Sequence, residues 1–405
     1  MARGKNIDLR KKNNRNLILN IIKNNQYVSR STVKTISKLS MTTVLNTIEE
    51  LLKNGLIYEA GTGESTGGRK PIWLKINPDG AYFIGAEFNA NDVTGAILNL
   101  KGEIVYTNKI VIKGKLSKEL IMNEVKNCVQ DLMNQLEGKR NRIVGIGLGV
   151  PGFVDKKRGI SINYVHVPEW RNIPIKDEIE KEWGIKTYIE TNVKAMALAF
   201  KWYKQDMSSR NILFISIRTG VGMGCILNNE VYNGRNNASG EIGHIFVKEN
   251  GIKCKCGKYG CLDTEVGYSA IKKKIIAGLK EGKFRIVNEI IDGNIDKLDI
   301  DVFVESIERD DEDSVLLLKE TCKLIGRAVG YAITLLNPDE VIFSGEISYA
   351  KNFISYIKDE IDKNCLEESR KGLIVRVNDF GDRIGGIGAA AIVMQEEFGF
   401  TTKPI

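Results

Sequence analysis

One short stretch of the chain concentrates ligands for a metal ion, and it constrains the fold more than any other feature. The ligands are one of only two histidines and three of the seven cysteines: His244, Cys254, Cys256 and Cys261. Three thiolates and an imidazole form the closed, four-ligand set that structural Zn²⁺ prefers. Gly257 and Gly260 permit tight turns between the cysteines. We predict one structural zinc ion per chain, held by a loop over residues 244–261. Unrelated thiols in a glycine-rich loop are the alternative.

The residues around these ligands resemble a known family. Glu-x-Gly-His at 241–244 and Cys-x-Cys-Gly-x-x-Gly-Cys-Leu-Asp at 254–263 are similar to the signature of the ROK family of repressors, open reading frames and kinases. The resemblance extends from about residue 13 to about residue 393. Within the family, the chain is most similar to the xylose repressors of Gram-positive bacteria. The resemblance implies two actin-like, ribonuclease H-like lobes with a sugar in the cleft between them.

Positive charge is concentrated in the first fifth of the chain. Residues 1–76 contain 14 Lys and Arg against 5 Asp and Glu, whereas the remainder contains 45 against 46. A local basic excess indicates a polyanionic partner, and double-stranded DNA is the first candidate. A solvated basic tail would explain residues 3–15 but not the ordered pattern that follows.

Length and composition exclude other classes of protein, such as membrane and secreted proteins. A chain of 405 residues is long enough for two or three domains, and 42% hydrophobic with 27% charged residues is typical of a soluble globular protein. No apolar run is long enough to cross a bilayer, and the basic N-terminus lacks the apolar segment of a secretory signal. Cysteines without paired spacing favour a reducing cytoplasm over disulfides.

Residues 1–76 show the pattern of a winged helix-turn-helix domain. Three short amphipathic segments occupy residues 14–53, and two apolar strand-like runs follow at 56–59 and 72–76. Ser40 is a suitable N-cap for the third helix and Gly55 a suitable stop. Three helices followed by a hairpin predict DNA binding, with a small dimerisation module as the alternative.

The predicted DNA contacts lie on the third helix and on the hairpin. Four side chains of the helix are positioned for the major groove: Met41, Thr42, Thr43 and Asn46. Hydroxyl and amide groups there can contact phosphates and base edges. Arg69 and Lys70 resemble the Gly-Gly-Arg-Arg-Pro wing of family repressors, and a guanidinium at this tip suits a narrow minor groove.

After a turn-rich hinge at residues 77–80, strand-like and helical runs alternate, which predicts an α/β fold. Strands are predicted at 82–87, 93–98, 103–111, 143–150, 186–190, 212–217, 341–344 and 373–377. Helices are predicted at 117–136, 175–183, 193–203, 269–279, 314–335, 353–364 and 387–397. We assign residues 77–190 to lobe 1, completed by the C-terminal helix at about 385–400, and residues 191–384 to lobe 2.

Departures from the family's kinases predict that this chain is not an enzyme. Where kinases carry Asp-x-Gly-Gly-Thr after the first strand, residues 87–91 read Glu-Phe-Asn-Ala-Asn, without the glycines that let amides approach phosphate. Asn192 takes the position of the kinases' proton-abstracting Asp, and an amide cannot act as a general base. Residues 218–224 keep their glycines, which alone often mark a tight turn, and the later Gly-Gly is reduced to Ser344-Gly345.

The resemblance also implies a sugar site. Sugars are held by carboxylates, amides and imidazoles at fixed angles, and the candidate positions are Pro151, Gly152, His166, Asn192, Glu241, His244 and Asp263. His166 falls where many relatives have asparagine, and an ordinary loop histidine is the alternative. His244 is expected to bind zinc through one ring nitrogen and face the sugar with the other. Asp263 replaces the family's Glu, and Lys194 replaces its Asn, so xylose is not carried over as the ligand.

These observations predict a cytoplasmic, sugar-responsive transcriptional repressor of a carbohydrate-utilisation operon. It would bind its operator as a homodimer, with a tetramer left open. One alternative is an active sugar kinase with a DNA-binding head. Another is an activator, or a repressor that responds to a partner protein, although the retained Glu241, His244 and Asp263 favour a sugar.

Overall fold

The computed structural model describes residues 2–25, 27–62, 70–203 and 209–399, with side chains from Asp8 onward. The chain divides into two compact units, and the division does not follow chain order. The first unit comprises residues 1–203 and 383–405, and the second comprises residues 204–382. The N-terminal helices therefore share a unit with the end of the chain.

The chain begins with three helices and a β-hairpin, which confirms the predicted winged helix-turn-helix order. The elements are α1 (Ala2–Asn24), α2 (Arg30–Ser37), α3 (Met41–Lys53), β1 (Ile57–Thr62) and β2 (Ile72–Ile76). Ser40 caps α3 by accepting a hydrogen bond from the Thr43 amide at 3.2 Å, as predicted. Lys38, with φ of 56°, ends α2 and turns the chain into α3.

The first unit continues with a mixed sheet and the helices around it. Its elements are β3 (Tyr82–Phe88), β4 (Asp92–Asn99), β5 (Ile104–Val111), α4 (Lys118–Asn134), β6 (Ile143–Val150), β7 (Phe153–Asp155), β8 (Ile160–Asn163), β9 (Arg171–Ile173), α5 (Ile175–Trp183), β10 (Thr187–Thr191) and α6 (Asn192–Tyr203). Strands β7, β8 and β9 form a small separate antiparallel sheet.

The second unit contains a second mixed sheet, and the last helix returns to the first unit. Its elements are β11 (Ile212–Ile217), β12 (Val221–Leu227), β13 (Glu230–Val231), α7 (Leu262–Val266), α8 (Tyr268–Lys280), α9 (Arg285–Ile290), α10 (Ile300–Glu308), α11 (Glu312–Leu336), β14 (Glu340–Ser344), α12 (Phe353–Asn364), α13 (Glu367–Arg370) and β15 (Ile374–Val377). Helix α14 (Ile384–Phe398) follows.

Both five-stranded sheets have the same topology. The first has the order β10-β6-β3-β4-β5, and the second has the order β13-β12-β11-β14-β15. In each, the first strand along the chain pairs antiparallel with the second and parallel with the fourth. This is the strand order of a ribonuclease H-like lobe, so the predicted α/β class with two such lobes is confirmed.

Helix α14 covers one face of the first sheet at very short range. A Cβ atom on Gly85 of β3 would lie 2.1 Å from the backbone nitrogen of Ala390, and one on Gly388 would lie 2.3 Å from the carbonyl oxygen of Ala195 in α6. Glycine is required at such approaches because any side chain would collide with backbone. The C-terminal helix is thus built into the core of the first unit.

Helix α1 binds the C-terminal end of α14. The Asn16 amide donates to the carbonyl of Glu397 at 3.2 Å, and the Asn20 amide donates to the carbonyls of Phe398 and Gly399, each at 3.3 Å. These are end-of-helix carbonyls, which have no partner within their own helix. Side chains of α1 therefore act as the cap of the last helix. Among the described residues, no helix is both long and apolar enough to span a bilayer.

Candidate functional site

The four predicted metal ligands converge in the second unit. One imidazole nitrogen of His244 and the sulfur atoms of the three cysteines all lie within 4.8 Å of one another. Cys254 Sγ lies 3.7 Å from His244 Nδ1, and Cys256 Sγ lies 3.7 Å from Cys261 Sγ. Zn–S bonds of about 2.3 Å in a tetrahedron place sulfur atoms about 3.8 Å apart. The donor set and its spacing fit a four-coordinate zinc ion.

The loop reaches this geometry through short turns that depend on glycine. Gly257 and Gly260 have φ of +92° and +67°, the left-handed region that glycine adopts without strain. A Cβ atom on Gly260 would lie 2.0 Å from the carbonyl oxygen of Lys248. The Cys254 amide donates to the Lys258 carbonyl at 2.7 Å, which closes the turn holding Cys254 and Cys256. The glycines predicted to shape the loop are therefore necessary to it.

The thiols of the cluster differ in acidity because they differ in burial. Burial raises the pKa of Cys261 to about 12, and burial also raises the pKa of Cys254. Cys256 is exposed, and a hydrogen bond from the Lys258 amide lowers its pKa. A bound cation must therefore displace protons from the buried thiols, which couples metal binding to proton release.

The two ring nitrogens of His244 face different surroundings. Nδ1 points to the thiol cluster, as the contact with Cys254 shows. Nε2 lies 3.9 Å from Oε2 of Glu241, which is too far for a hydrogen bond but close enough for both atoms to contact the same polar group. The imidazole is thus oriented for a metal on one side and for a polar ligand beside Glu241 on the other.

Asp263 is fixed by the glycine-containing turn at residues 218–224. Its Oδ1 accepts a hydrogen bond from the Val221 amide at 2.6 Å, and a Cβ atom on Gly220 would lie 2.6 Å from the same oxygen. Burial raises the pKa of Asp263, and the Val221 amide opposes that shift. Gly220 is therefore explained by contact with Asp263 rather than by phosphate.

Asn192 stands at the start of α6 with its amide oriented by two neighbours. Its Nδ2 donates to Glu87 Oε1 at 3.1 Å, and its Oδ1 accepts from the Val193 amide at 2.9 Å. Glu87 is completely buried, and its Oε2 accepts from the Thr94 hydroxyl at 3.3 Å. Sequence reasoning noted Glu87 only as a departure from the kinase motif. Its isolation within an apolar strand was the signal that it orients another group.

The turn that replaces the kinase phosphate loop is closed on itself. Asn89 Oδ1 accepts hydrogen bonds from the amides of Asn91 at 2.7 Å and Asp92 at 3.2 Å. The Asn89 amide donates to the Asp92 carbonyl at 3.0 Å. Backbone amides that would approach a phosphate in a kinase are here engaged within the turn.

The remaining ligand candidates of the first unit surround a small aromatic cluster. Gly152 has φ of +77°, and a Cβ atom there would lie 2.2 Å from the Asn163 carbonyl oxygen. The His166 ring packs edge-on against Tyr164, with ring centres 5.3 Å apart. Trp170 is buried against Phe88 and donates its Nε1 to Ser161 Oγ at 2.7 Å, so its indole belongs to the packing of the first unit. Pro151, Gly152, His166 and Asn192 belong to the first unit, and Glu241, His244 and Asp263 belong to the second.

The residues predicted to contact DNA differ in how exposed they are. Met41, Thr42, Asn46 and Lys70 are exposed. Thr43 is partly buried, and its hydroxyl lies 2.8 Å from Ser40 Oγ in the helix cap, so it contributes to the cap of α3. Arg69 lies outside the described residues.

Comparisons with known proteins agree with this geometry. Residues 83–396 match the model of the ROK family. The xylose repressor of Caldicellulosiruptor bescii is 25% identical over 397 residues, 98% of each chain. The xylose repressor of Bacillus subtilis is 31% identical over 265 residues, covering 65% of this chain and 68% of the repressor. A crystal structure of a ROK family transcriptional regulator, a homologue of the Escherichia coli MLC protein, shares the fold with a TM-score of 0.82 at 24% identity over 96% of each chain. The chain therefore belongs to the ROK family.

Proposed function

We propose that this protein is a cytoplasmic, sugar-responsive transcriptional repressor of a carbohydrate-utilisation operon and that it does not phosphorylate its ligand. The curated relatives that match along its length are repressors, and a winged helix-turn-helix precedes the ROK domain. The observation that carries the proposal is the Asn192 amide, held by Glu87 where a kinase of the family has its catalytic Asp. An amide binds a hydroxyl but takes no proton from it.

The backbone around both ancestral phosphate loops supports the absence of kinase activity. The amides of Asn89, Asn91 and Asp92 are bound within their own turn, and the Val221 amide is bound to Asp263. Phosphate binding by such loops depends on amides that are free to donate. An active kinase with a DNA-binding head is the second candidate, and the family's kinases are the only support for it.

The ligand is a sugar in this proposal because the available groups suit hydroxyls. Asn192 retains one amide hydrogen beyond its bond to Glu87, and His244 Nε2 and Glu241 Oε2 lie close enough to contact the same hydroxyl. Asp263 keeps an oxygen beyond the one used by Val221. Backbone at Pro151 and Gly152 and the imidazole of His166 complete the proposed contacts. Zinc at His244, Cys254, Cys256 and Cys261 would be structural, since the four ligands fill a tetrahedral site.

The proposed DNA-binding surface uses the exposed start of α3 and the hairpin. Met41, Thr42, Thr43 and Asn46 would enter the major groove, and Arg69 and Lys70 would form the wing contacts. The protein would act as a homodimer, or as a tetramer, on a palindromic operator. The head at residues 1–76 and the lobes at 77–190 and 191–384 are the corresponding functional domains, with the helix at 385–400 completing lobe 1.

The decisive experiment measures operator binding with and without sugars. Fluorescence anisotropy on DNA from the protein's own promoter region would be recorded with D-xylose, D-glucose, N-acetyl-D-glucosamine and sucrose, which represent a pentose, a hexose, an amino sugar and a disaccharide. We expect at least one sugar to change operator affinity. If none does, free or phosphorylated, the sensor role is wrong. A coupled ADP-release assay on the same panel tests the kinase, and measurable sugar-dependent turnover would establish the second candidate instead.

A further inference from the structure

Two neighbouring polar atoms at the end of β8 are buried and have no hydrogen-bond partner in the described part of the chain. They are the side-chain oxygen of Asn163 and the hydroxyl of Tyr164. Tyr164 is only 4% exposed. Leaving one buried polar atom unsatisfied costs about 1–3 kcal/mol, so native proteins rarely place two in consecutive residues. Two such atoms together indicate a site that is completed by something other than the protein.

The position of these atoms within the first unit points to the ligand site. Strand β8 pairs with β7 so that Asn163 faces Phe153, and a Cβ atom on Gly152 would lie 3.5 Å from Asn163 Oδ1. The Tyr164 ring packs against His166, with centres 5.3 Å apart. The orphaned oxygens therefore adjoin two residues of the proposed sugar site, Gly152 and His166.

The surroundings also fix the chemistry of the Tyr164 hydroxyl. Burial raises its pKa, and the carboxylates of Glu87 and Asp92 raise it further. The hydroxyl therefore keeps its proton at neutral pH, and Glu87, which acts on it electrostatically, is also the residue that holds Asn192. Asn163 Oδ1 can only accept a hydrogen bond, whereas Tyr164 can donate one. Hydroxyl groups both donate and accept, so the several hydroxyls of a sugar can satisfy both atoms.

We propose that Asn163 and Tyr164 are additional ligand-binding residues, which hydrogen-bond hydroxyl groups of the bound sugar in the first unit. This inference rests on the proposed function. A purely structural Tyr164 would need only its ring, which packs against Phe88 and Trp170. The other polar atom of that aromatic cluster, Trp170 Nε1, is satisfied by Ser161. The contrast indicates that the Tyr164 hydroxyl is retained for a partner outside the protein.

The test is Tyr164→Phe, for which a ligand role and a structural role predict opposite results. Removing an unsatisfied buried hydroxyl leaves the melting temperature of the sugar-free protein unchanged or raises it. Affinity for the sugar of the panel that binds wild type, measured by isothermal titration calorimetry, falls about five- to tenfold, the loss of one net hydrogen bond. Asn163→Ala is the second variant and is expected to weaken the same sugar by a similar factor.

Tyr203→Phe is the matched control. Tyr203 is also a tyrosine of the first unit, but its hydroxyl donates to the Gly102 carbonyl. Its removal should lower the melting temperature and leave sugar affinity unchanged.

Three outcomes separate the possibilities. If wild type binds no sugar of the panel, the proposed function itself fails. If wild type binds but Tyr164→Phe and Asn163→Ala bind equally well, this inference is overturned. A lower melting temperature with unchanged affinity in Tyr164→Phe would assign the site to buried water and also overturn it.

Discussion

The ammonium group of Lys23 lies 4.7 Å from the centre of the Trp202 indole ring, which joins the end of α1 to the end of α6. Helix α6 begins at Asn192, the proposed sugar contact, so one helix runs from that contact to the DNA-binding head. Helix α14 makes a second connection between the same two regions. A Cβ atom on Gly385, near its start, would lie 2.4 Å from Glu87 Oε2, and its last carbonyls bind α1. Two rigid elements thus link the Glu87–Asn192 pair to the head.

Replacing Lys23 with methionine tests the energetic cost of this junction. Burial lowers the pKa of Lys23 from 10.5 to about 8, so folding disfavours its charged form. Below pH 8 Lys23 is protonated in both the folded and the unfolded chain, so the full free-energy cost of burying its charge is present. Between pH 8 and 10.5 only the unfolded chain still holds it, so wild-type stability gains with rising pH. Lys23→Met should therefore be more stable at pH 7, by up to about 3 kcal/mol, and this advantage should shrink towards pH 10.

Urea unfolding of wild type and Lys23→Met at a series of pH values measures the effect. Lys11→Met, at an exposed position of the same helix, is the control and, as a surface substitution, should change stability by no more than about 0.5 kcal/mol at pH 7. A constant stability difference between wild type and Lys23→Met from pH 7 to pH 10 would contradict the burial of a charged lysine at this junction.

The attachment of α1 to α14 predicts a variant in which sugar binding and DNA binding are uncoupled. Asn20→Ala removes the amide that binds the carbonyls of Phe398 and Gly399 and should cost about 1–2 kcal/mol, since those carbonyls lose a partner. Because the ligand site is untouched, sugar affinity should stay at the wild-type value while the sugar-induced change in operator affinity decreases. Asn25→Ala is the control, because the Asn25 amide binds only the Ile21 carbonyl of its own helix, at 2.7 Å. An undiminished sugar response in Asn20→Ala would argue against transmission through this contact.

Most regular elements of the fold could be predicted from periodicity. Strands β3, β4 and β6 are apolar runs largely buried on both faces, whereas α4 and α11 each bury one face at helical spacing; both patterns are visible in the residues. The small β7–β9 sheet escaped prediction, since strands of three or four residues are too short to show a period. Strand β12 was taken only as a glycine-rich turn, because a contact that defines it, the bond from the Met223 amide to the Gly240 carbonyl, is distant in sequence.

The parts of the candidate site whose residues are close in sequence could be predicted. The parts whose residues are brought together only by the fold could not. The four residues of the His244 and cysteine cluster lie within eighteen residues, so their spacing was enough to predict that they meet. The sequence does not reveal that the two sheets have identical topology. Two sheets can share a strand order although their side chains have diverged. Likewise, no pattern joins Glu87 to Asn192, which are 105 positions apart. The orphaned hydroxyl of Tyr164 becomes visible only when burial and partners are known.

Restoring the carboxylate at position 192 should not restore a kinase. In Asn192→Asp the new carboxylate would face Glu87 Oε1, which accepts the Asn192 amide at 3.1 Å. Two adjacent carboxylates cannot both ionise cheaply, so one has a raised pKa. The variant should lose about 2 kcal/mol at pH 7, and the deficit should shrink as the pH falls below about 5 and one carboxyl gains a proton.

Thermal unfolding of Asn192→Asp between pH 4 and pH 8, together with ADP release on the sugar panel, tests this expectation. The bound amides of Asn91 and Asp92 still prevent phosphate binding, so no turnover is expected. Asn192→Ala separates the loss of the amide from the gain of charge, because it removes the same hydrogen-bond donor without adding a second carboxylate. Sugar-dependent ADP release by Asn192→Asp would mean that the closed turn is no barrier to catalysis.

The zinc loop should stabilise the second unit and orient the ligand residues beside it. Cys256 is the exposed member of the cluster, so Cys256→Ser changes the donor set without altering the core. Metal analysis should show less than one zinc per chain, against one in wild type. The melting temperature should fall by roughly 5 °C or more, because metal binding contributes directly to folding. Sugar affinity should fall as well, since His244 would no longer be held at Nδ1. Cys365→Ser, outside the cluster, should keep its zinc and its affinity. A zinc-free Cys256→Ser protein with the melting temperature and sugar affinity of wild type would show that the metal has neither role.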